Sequence, residues 1–159
     1  MAVDYFLKLK DVPGESVSTH HTGEIEVLSW SWGGSQTSTV HATTGSGGGK
    51  VSLSDLNLMI HFDSSSAKLL KGLTIGTHYA TATLAAQKSG ASGGANYMTI
   101  DLTEVFISSL QLSASGDVPS ASLSLTYKSY TYNYFQQKAD GTVTNAGTTS
   151  YDVTTNVTT

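Results

Sequence analysis

The chain has 159 residues, enough for one domain with a core that needs no covalent staples. It contains no cysteine, which excludes disulfides and thiolate metal sites. The net charge is −4 and all eight basic residues are lysines scattered along the chain, which weighs against nucleic acid because the bidentate guanidinium contacts are missing. Charged residues make up 13% of the chain, about half the ~25% of ordinary soluble domains. Serine and threonine take their place, at 45 of 159 residues. Such a surface is neutral and rich in hydroxyls, and it suits packing against copies of itself.

The opening residues show neither a basic n-region nor an apolar h-region, so no cleavable signal is expected, and no apolar run of ~18 residues predicts a membrane helix. Val3, Tyr5, Leu7 and Leu9 alternate with polar residues and predict a first strand that ends at Asp11-Val12-Pro13-Gly14. In Glu24-Ile25-Glu26-Val27-Leu28-Ser29-Trp30-Ser31-Trp32-Gly33, Ile25 and Val27 have one parity and Leu28, Trp30 and Trp32 the other. A strand cannot change face without an extra residue, so a bulge or sharp twist is predicted near Val27-Leu28. Both tryptophans then lie on one side, and a glycine-rich flexible loop is expected from 33 to 50. The parity changes again between Val51-Leu53 and Leu56-Phe62, and between Leu123-Tyr127 and Tyr130-Tyr134. Repeated slips of this kind suit a coiled sheet closing into a barrel.

One helix is predicted. Asp63 to Ser66 supply cap candidates, Ala67 to Lys71 have good propensity, and Gly72 or Gly76 stops it. A strand around Thr77 to Gln87 follows, then a hairpin loop from Ser89 to Gly94. A long strand region from Tyr97 to Leu112 is expected to break near Asp101 to Glu104. Ser113 to Pro119 reads as a turn, and Ala121 to Gln136 as the last well-patterned strand. For 138–159, polar and weakly patterned, an edge strand at Tyr151 and Val153 and partial disorder both stay open. The whole is an all-β single domain, 1–159, with one short helix.

The candidates for chemistry are weak. The five histidines (His20, His21, His41, His61 and His78) lack close ligand spacing, so no metal or other cofactor is expected. Glu24 and Glu26 share a strand face, but a solvent-facing edge explains them better than a glycosidase pair. No Gly-x-Ser-x-Gly elbow is present. In Gly45 to Ser52, Lys50 is followed by Val51 and a strand, which a phosphate loop does not allow. Tyr127, Tyr130, Tyr132 and Tyr134 read as core or subunit contacts rather than a glycan-stacking platform.

In order along nearly the whole chain, several pieces resemble the haemolysin-coregulated protein (Hcp) family, the tube component of bacterial type VI secretion. They are Met1 to Lys8, Val12-Pro13-Gly14-Glu15-Ser16, the Glu24 to Gly33 block, Gly49-Lys50-Val51 and Asp63 to Leu69. Gly76-Thr77-His78-Tyr79, Val105 to Ser109, Leu123 to Tyr127 and Tyr134 to Gly141 complete the set. Two places depart from the family pattern: Ala67, where a proline often opens the helix, and the end of the chain from Thr142 to Thr159.

The resemblance implies an antiparallel two-sheet β-barrel with a flanking helix, assembling as a hexameric ring. It implies that rings stack into a hollow tube inside a contractile sheath and below a spike protein. The tube is built in the bacterial cytoplasm and expelled from the cell, and rings hold effector proteins in the lumen. The loop that includes Gly33, Gly34, Ser35, Gln36, Gly47, Gly48, Gly49 and Lys50 is implied to make subunit and ring-stacking contacts. Ser29, Ser31, Ser122 and Ser124 are expected to face the channel. The competing readings are a tail-tube protein of a phage-like contractile particle and a monomeric glycan-binding module. No enzyme activity, nucleic acid or membrane insertion is expected.

Overall fold

The computed structural model describes residues 3–38, 48–90 and 94–159, apart from the side chains of Ser38 and Val118. In chain order the strands are β1 (Val3–Leu9), β2 (Ile25–Ser31), β3 (Gly34–Ser38), β4 (Gly48–Leu53) and β5 (Leu56–His61). After the helix α1 (Ser66–Ile75) come β6 (Tyr79–Lys88), β7 (Ala95–Ser115), β8 (Val118–Thr126), β9 (Ser129–Gln137), β10 (Val143–Asp152) and β11 (Val157–Thr158). Nine strands form one antiparallel sheet in the order β11-β10-β9-β7-β6-β1-β2-β5-β8, and β8 pairs with β7 to close the barrel.

β7 makes the closure possible through its 21-residue length. Its first half pairs with β6 and β9, from Ala95 to Val105, and its second half with β8, from Phe106 to Ser115. The break expected near Asp101 to Glu104 is instead a kink within a continuous strand. Glu104 takes a left-handed φ of 53° at the point where β7 changes partners. The expected turn from 113 to 119 is corrected as well. Ser113 pairs with Ser120 and Ser115 with Val118, so small polar residues with no core to face still form a ladder through their backbones.

The bulge foreseen in β2 is present. Val27 pairs with Ile60, the next partners are Ser29 and Met59, and Leu28 is the extra residue, 43% exposed. Val27 stays in the core while Trp30, opposite buried Leu58, returns to the core side. The other two parity changes are not slips within a strand. Ser54-Asp55 separates β4 from β5, and Tyr127-Lys128 separates β8 from β9. The stretch Ala121 to Gln136, expected as one strand, is therefore two strands lying against different stretches of β7.

Leu7, Ile25, Leu56, Leu58, Ile60, Leu84, Ile100, Leu102, Leu123 and Leu125 form the sealed interior. Each such side chain contributes roughly 1.5–3 kcal/mol by leaving water. α1 closes one flank with Leu69 and Gly72 buried, and Gly76 ends it in the left-handed region at φ 68°. Its N-terminus has no side-chain cap bond from Ser65. Asp63 instead accepts from the Ser65 amide at 2.8 Å, and its other oxygen accepts from the Glu15 amide at 3.3 Å.

Residues 143–152, where the pattern is weakest, run as β10 along β9. The following turn depends on Asp152, whose carboxylate accepts from the Thr154 amide at 2.8 Å, the Thr154 hydroxyl at 2.6 Å and the Thr155 amide at 3.0 Å. These bonds favour the ionised form and hold Asp152 below the usual carboxylate value of 3.8, the Thr154 hydroxyl being the largest cause. A depressed carboxyl stabilises the fold above its unfolded value and loses that effect as pH falls through the folded value. Asp152→Ala is therefore expected to speed exchange of the Thr154 and Thr155 amides at neutral pH. The difference from the parent should close once the solution is acidic enough to protonate Asp152; an equal gap at both pH values would contradict this account.

Candidate functional site

β3 and β4 form a separate two-stranded sheet, an arm that leaves the barrel after Trp32. Gly34 pairs with Leu53, Ser35 with Ser52 and Gln36 with Val51. Glycine is required at Gly34 and Gly49, where an added Cβ would lie 2.8 Å from the Ser52 carbonyl oxygen and 2.4 Å from the Thr37 carbonyl oxygen. Gln36 donates its amide to the Gly49 carbonyl at 3.0 Å, and Lys50 is exposed. Of the contact residues implied for this segment, Gly33 precedes the arm, while Gly34, Ser35, Gln36, Gly48, Gly49 and Lys50 lie within it. Gly47 lies outside the described residues. The segment expected as a loop is thus a ribbon wherever it is described.

Aromatic side chains root the arm in the barrel. The Trp32 indole donates to the Tyr127 hydroxyl at 2.7 Å, and that hydroxyl donates to the Ser54 carbonyl at 3.0 Å. One chain of bonds therefore joins both ends of the arm to the β8–β9 turn. Trp32 also packs edge-on to Tyr130 at 4.8 Å, and Tyr130 lies 6.1 Å from Tyr151. Burial pushes the Tyr127 phenol above its usual value, so it remains a neutral donor. Trp30 sits edge-on to Tyr5 at 6.3 Å. Tyr130, Tyr132 and Tyr134 pair with the core residues Leu102, Ile100 and Met98; Tyr130 and Tyr132 pack against the core, whereas Tyr134, at the end of the row, is 41% exposed. At that end Tyr97 packs edge-on to Tyr134, and burial, with Tyr5 adding to it, pushes the Tyr97 phenol up to about 12.

The four serines expected to line a channel fall on one face of the sheet. Ser29 pairs with Met59, Met59 with Ser122, and Ser122 with Gln111. Two residues along, Ser31, Asn57, Ser124 and Ser109 form a second row. The row between them, Trp30, Leu58, Leu123 and Leu110, turns toward the core. The outward rows span β2, β5, β8 and β7 and carry no charged side chain. Within them the Ser124 hydroxyl donates to the Asn57 carbonyl oxygen at 2.7 Å.

Among the described residues two histidines pair with glutamates. His21 is 6% exposed and stacks on Phe6 at 4.5 Å, with Nδ1 against the Glu24 carboxylate and Nε2 2.9 Å from the Asn96 side-chain oxygen. This contact fastens the segment between β1 and β2 over Phe6, and it ties up Glu24 away from Glu26. His78 stacks on Phe106 at 4.5 Å and meets Glu104 at 2.5 Å, both exposed. His61 is half-buried beside the serine face, opposite Ser120, and His41 lies outside the described residues. Among the described residues no three histidine, aspartate or glutamate side chains come together as a metal site. The His21–Glu24–Asn96 cluster escaped the sequence reading: Asn96 is 75 residues from His21, and only the packing of β6 and β7 beside β1 brings it there.

Fold and arm define a small closed antiparallel barrel with two uncharged outward rows across β2, β5, β8 and β7 and a projecting β-ribbon. The family model described as "Type VI secretion system effector, Hcp" matches residues 6–134. Protein hcp1 of Pseudomonas aeruginosa (strain PAO1) is 40% identical over 143 residues, covering 89% of this chain and 88% of that protein. A solved structure described as a type six secretion system protein superposes with a TM-score of 0.91 at 28% identity, covering 99% of this chain and all of that one (100%). Hcp1 from Salmonella typhimurium gives 0.80 at 30% identity, with 100% of both chains covered. The chain belongs to the Hcp family of type VI secretion proteins. No helix among the described residues is long and apolar enough to cross a membrane.

Proposed function

We propose that this chain is the tube subunit of a type VI secretion system. Six copies close into a ring, and rings stack into a hollow inner tube that sheath contraction expels. The serine face lines the lumen, where effector proteins are held, and the arm residues Gly33 to Gln36 and Gly47 to Lys50 make contacts between subunits and rings. The subunit assembles in the bacterial cytoplasm and leaves with the tube. The sheath, the spike and the effectors are its partners within the system.

The observation that carries this reading is the pair of uncharged outward rows on β2, β5, β8 and β7. A lumen that passes varied cargo needs a wall without strong fixed charge, and eight adjacent residues supply one across four strands. A ring also needs heterologous contacts, in which one patch meets a different patch on the next copy. The arm is a patch of that kind. The role is structural rather than catalytic: Glu24 is held against buried His21, and Tyr130 and Tyr132 of a would-be glycan platform pack against the core.

Tryptophan at Ser29, Ser31, Ser122 or Ser124 tests the lumen assignment. The variants should still form rings, because these side chains point away from the core. Bound cargo should fall several-fold, because a bulky ring occupies the channel wall. Unchanged cargo retention in all four variants would remove the serine face from the lumen.

A further inference from the structure

We infer that β3 of one copy adds as a strand to the open edge of β10 in a neighbouring copy. This rests on the reading of the arm as a subunit contact and supplies the surface that receives it.

Both edges can be read from the backbone. Ser150 exchanges backbone hydrogen bonds with Thr159, at 2.9 and 3.0 Å, so its N–H and C=O point to the outer side of β10. The two-residue period turns the N–H and C=O of Thr148 the same way. At the other end the Lys138 amide donates to the Thr142 carbonyl at 2.8 Å, so Thr142 faces β9 and Val143 faces outward. β11 covers only Tyr151 and Asp152, and among the described residues no strand covers 143–149 on that side. In the arm, Ser54 donates to the Gly33 carbonyl at 2.8 Å, which leaves the backbone groups of Gly34 and Gln36 on the outer edge of β3.

Both edges lack charged and proline protection, although each carries a bulge, at Asn145–Gly147 in β10 and at Gln36–Ser38 in β3. Natural sheets blunt an open strand with lysine, proline or a covering segment. Residues 143–149 and β3 contain no charge and no proline, whereas β4 carries Lys50. A bulge between Asn145 and Gly147 interrupts the β10 edge but leaves Val143 and Thr148 on either side of it. Among the described residues β3 and β4 pair only with each other, and a two-stranded ribbon is marginal in water by itself. Adding β3 to β10 would pair both sets of orphaned groups through main-chain bonds, the recognition mode of strand addition. The contact joins unlike surfaces, so it propagates from copy to copy as a ring requires. Beside the edge, a cavity of about 370 Å³ with Phe135, Val143 and Ala95 on one side and His20, Gln87 and Asn96 on the other gives an incoming side chain a partly apolar seat.

The cysteine-free chain allows a direct test by cross-linking. Gln36→Cys is combined with Val143→Cys in one variant and with Thr148→Cys in another, and the assembled proteins are mildly oxidised. At least one variant should give a covalent ladder above the monomer that neither of its single variants gives. Thr148→Pro removes the outward N–H and should lower ring content at least ten-fold, whereas Thr148→Val, which loses only the hydroxyl, should keep it. Rings seen by native mass spectrometry, with no ladder in either double variant, would overturn the strand addition and leave the ring reading standing. A parent protein that forms no rings would sink both. Should the proline variant fail to fold, the cross-linking result decides.

Discussion

Trp32→Ala is expected to cost about 3 kcal/mol, in the range for large aromatic truncations. For a chain of this length that is a fall in Tm of roughly 10 °C. The substitution removes the edge contact with Tyr130 and the indole bond to Tyr127. It also frees the Tyr127 hydroxyl that holds the Ser54 carbonyl at the far end of the arm. The larger consequence is functional. An arm that has lost its root pays more ordering entropy when it docks on another copy, so ring content should fall by at least ten-fold at fixed concentration. Trp32→Phe separates the two contributions. It keeps most of the ring packing and loses one hydrogen bond, about 1 kcal/mol, and should retain rings. An alanine variant that melts like the parent and assembles fully would show that Trp32 does not anchor the arm.

Gly72→Ala is the second large expected effect, and its sign opposes simple helix propensity. Alanine in mid-helix ordinarily gains about 1 kcal/mol over glycine. Here an added Cβ would lie 2.0 Å from the Tyr79 hydroxyl oxygen and 3.3 Å from Ile107 Cδ1. Tyr79 is 6% exposed, so its ring has nowhere to swing. Overpacking of this kind costs about 1–3 kcal/mol, and α1 must move off Tyr79 at the start of β6 to relieve it. A 2.0 Å approach puts the cost at the top of that range, so after the propensity gain of about 1 kcal/mol the net expectation is a loss of about 2 kcal/mol in denaturant unfolding. Tyr79→Phe removes the clashing oxygen, so the double variant should recover more than half of that loss. Additive losses in the double-mutant cycle would place the strain elsewhere.

Much of the fold was legible because a side-chain period of two exposes a change of face. The shift from Val27 to Trp30 pointed to a bulge or sharp twist near Val27-Leu28, and the bulge falls there. The same signal at Leu53-Leu56 and Tyr127-Tyr130 was real, but parity does not say whether a strand slips or ends, and there the chain leaves for a new strand. β10 was poorly legible because most of its residues are exposed on both faces. Its order comes from backbone pairing with β9 and from bonds such as Thr148 to Asn133 and Asp152 to Thr154. Polar ladders of this kind leave no apolar alternation to read. The serine face was half legible: alternation put Ser29 with Ser31 and Ser122 with Ser124, but only the β2–β5–β8 register put all four together. The arm looked like a loop because glycine and serine bury nothing, whether they lie in a ribbon or in solution.

Native mass spectrometry of the purified protein, with negative-stain images of the same sample, tests most directly whether this barrel is a ring-forming unit. Six copies of a 16.6 kDa chain should appear as a species of about 100 kDa, seen end-on as annuli with an open centre. A single 16.6 kDa species at every concentration and salt, with no annuli, would contradict the account.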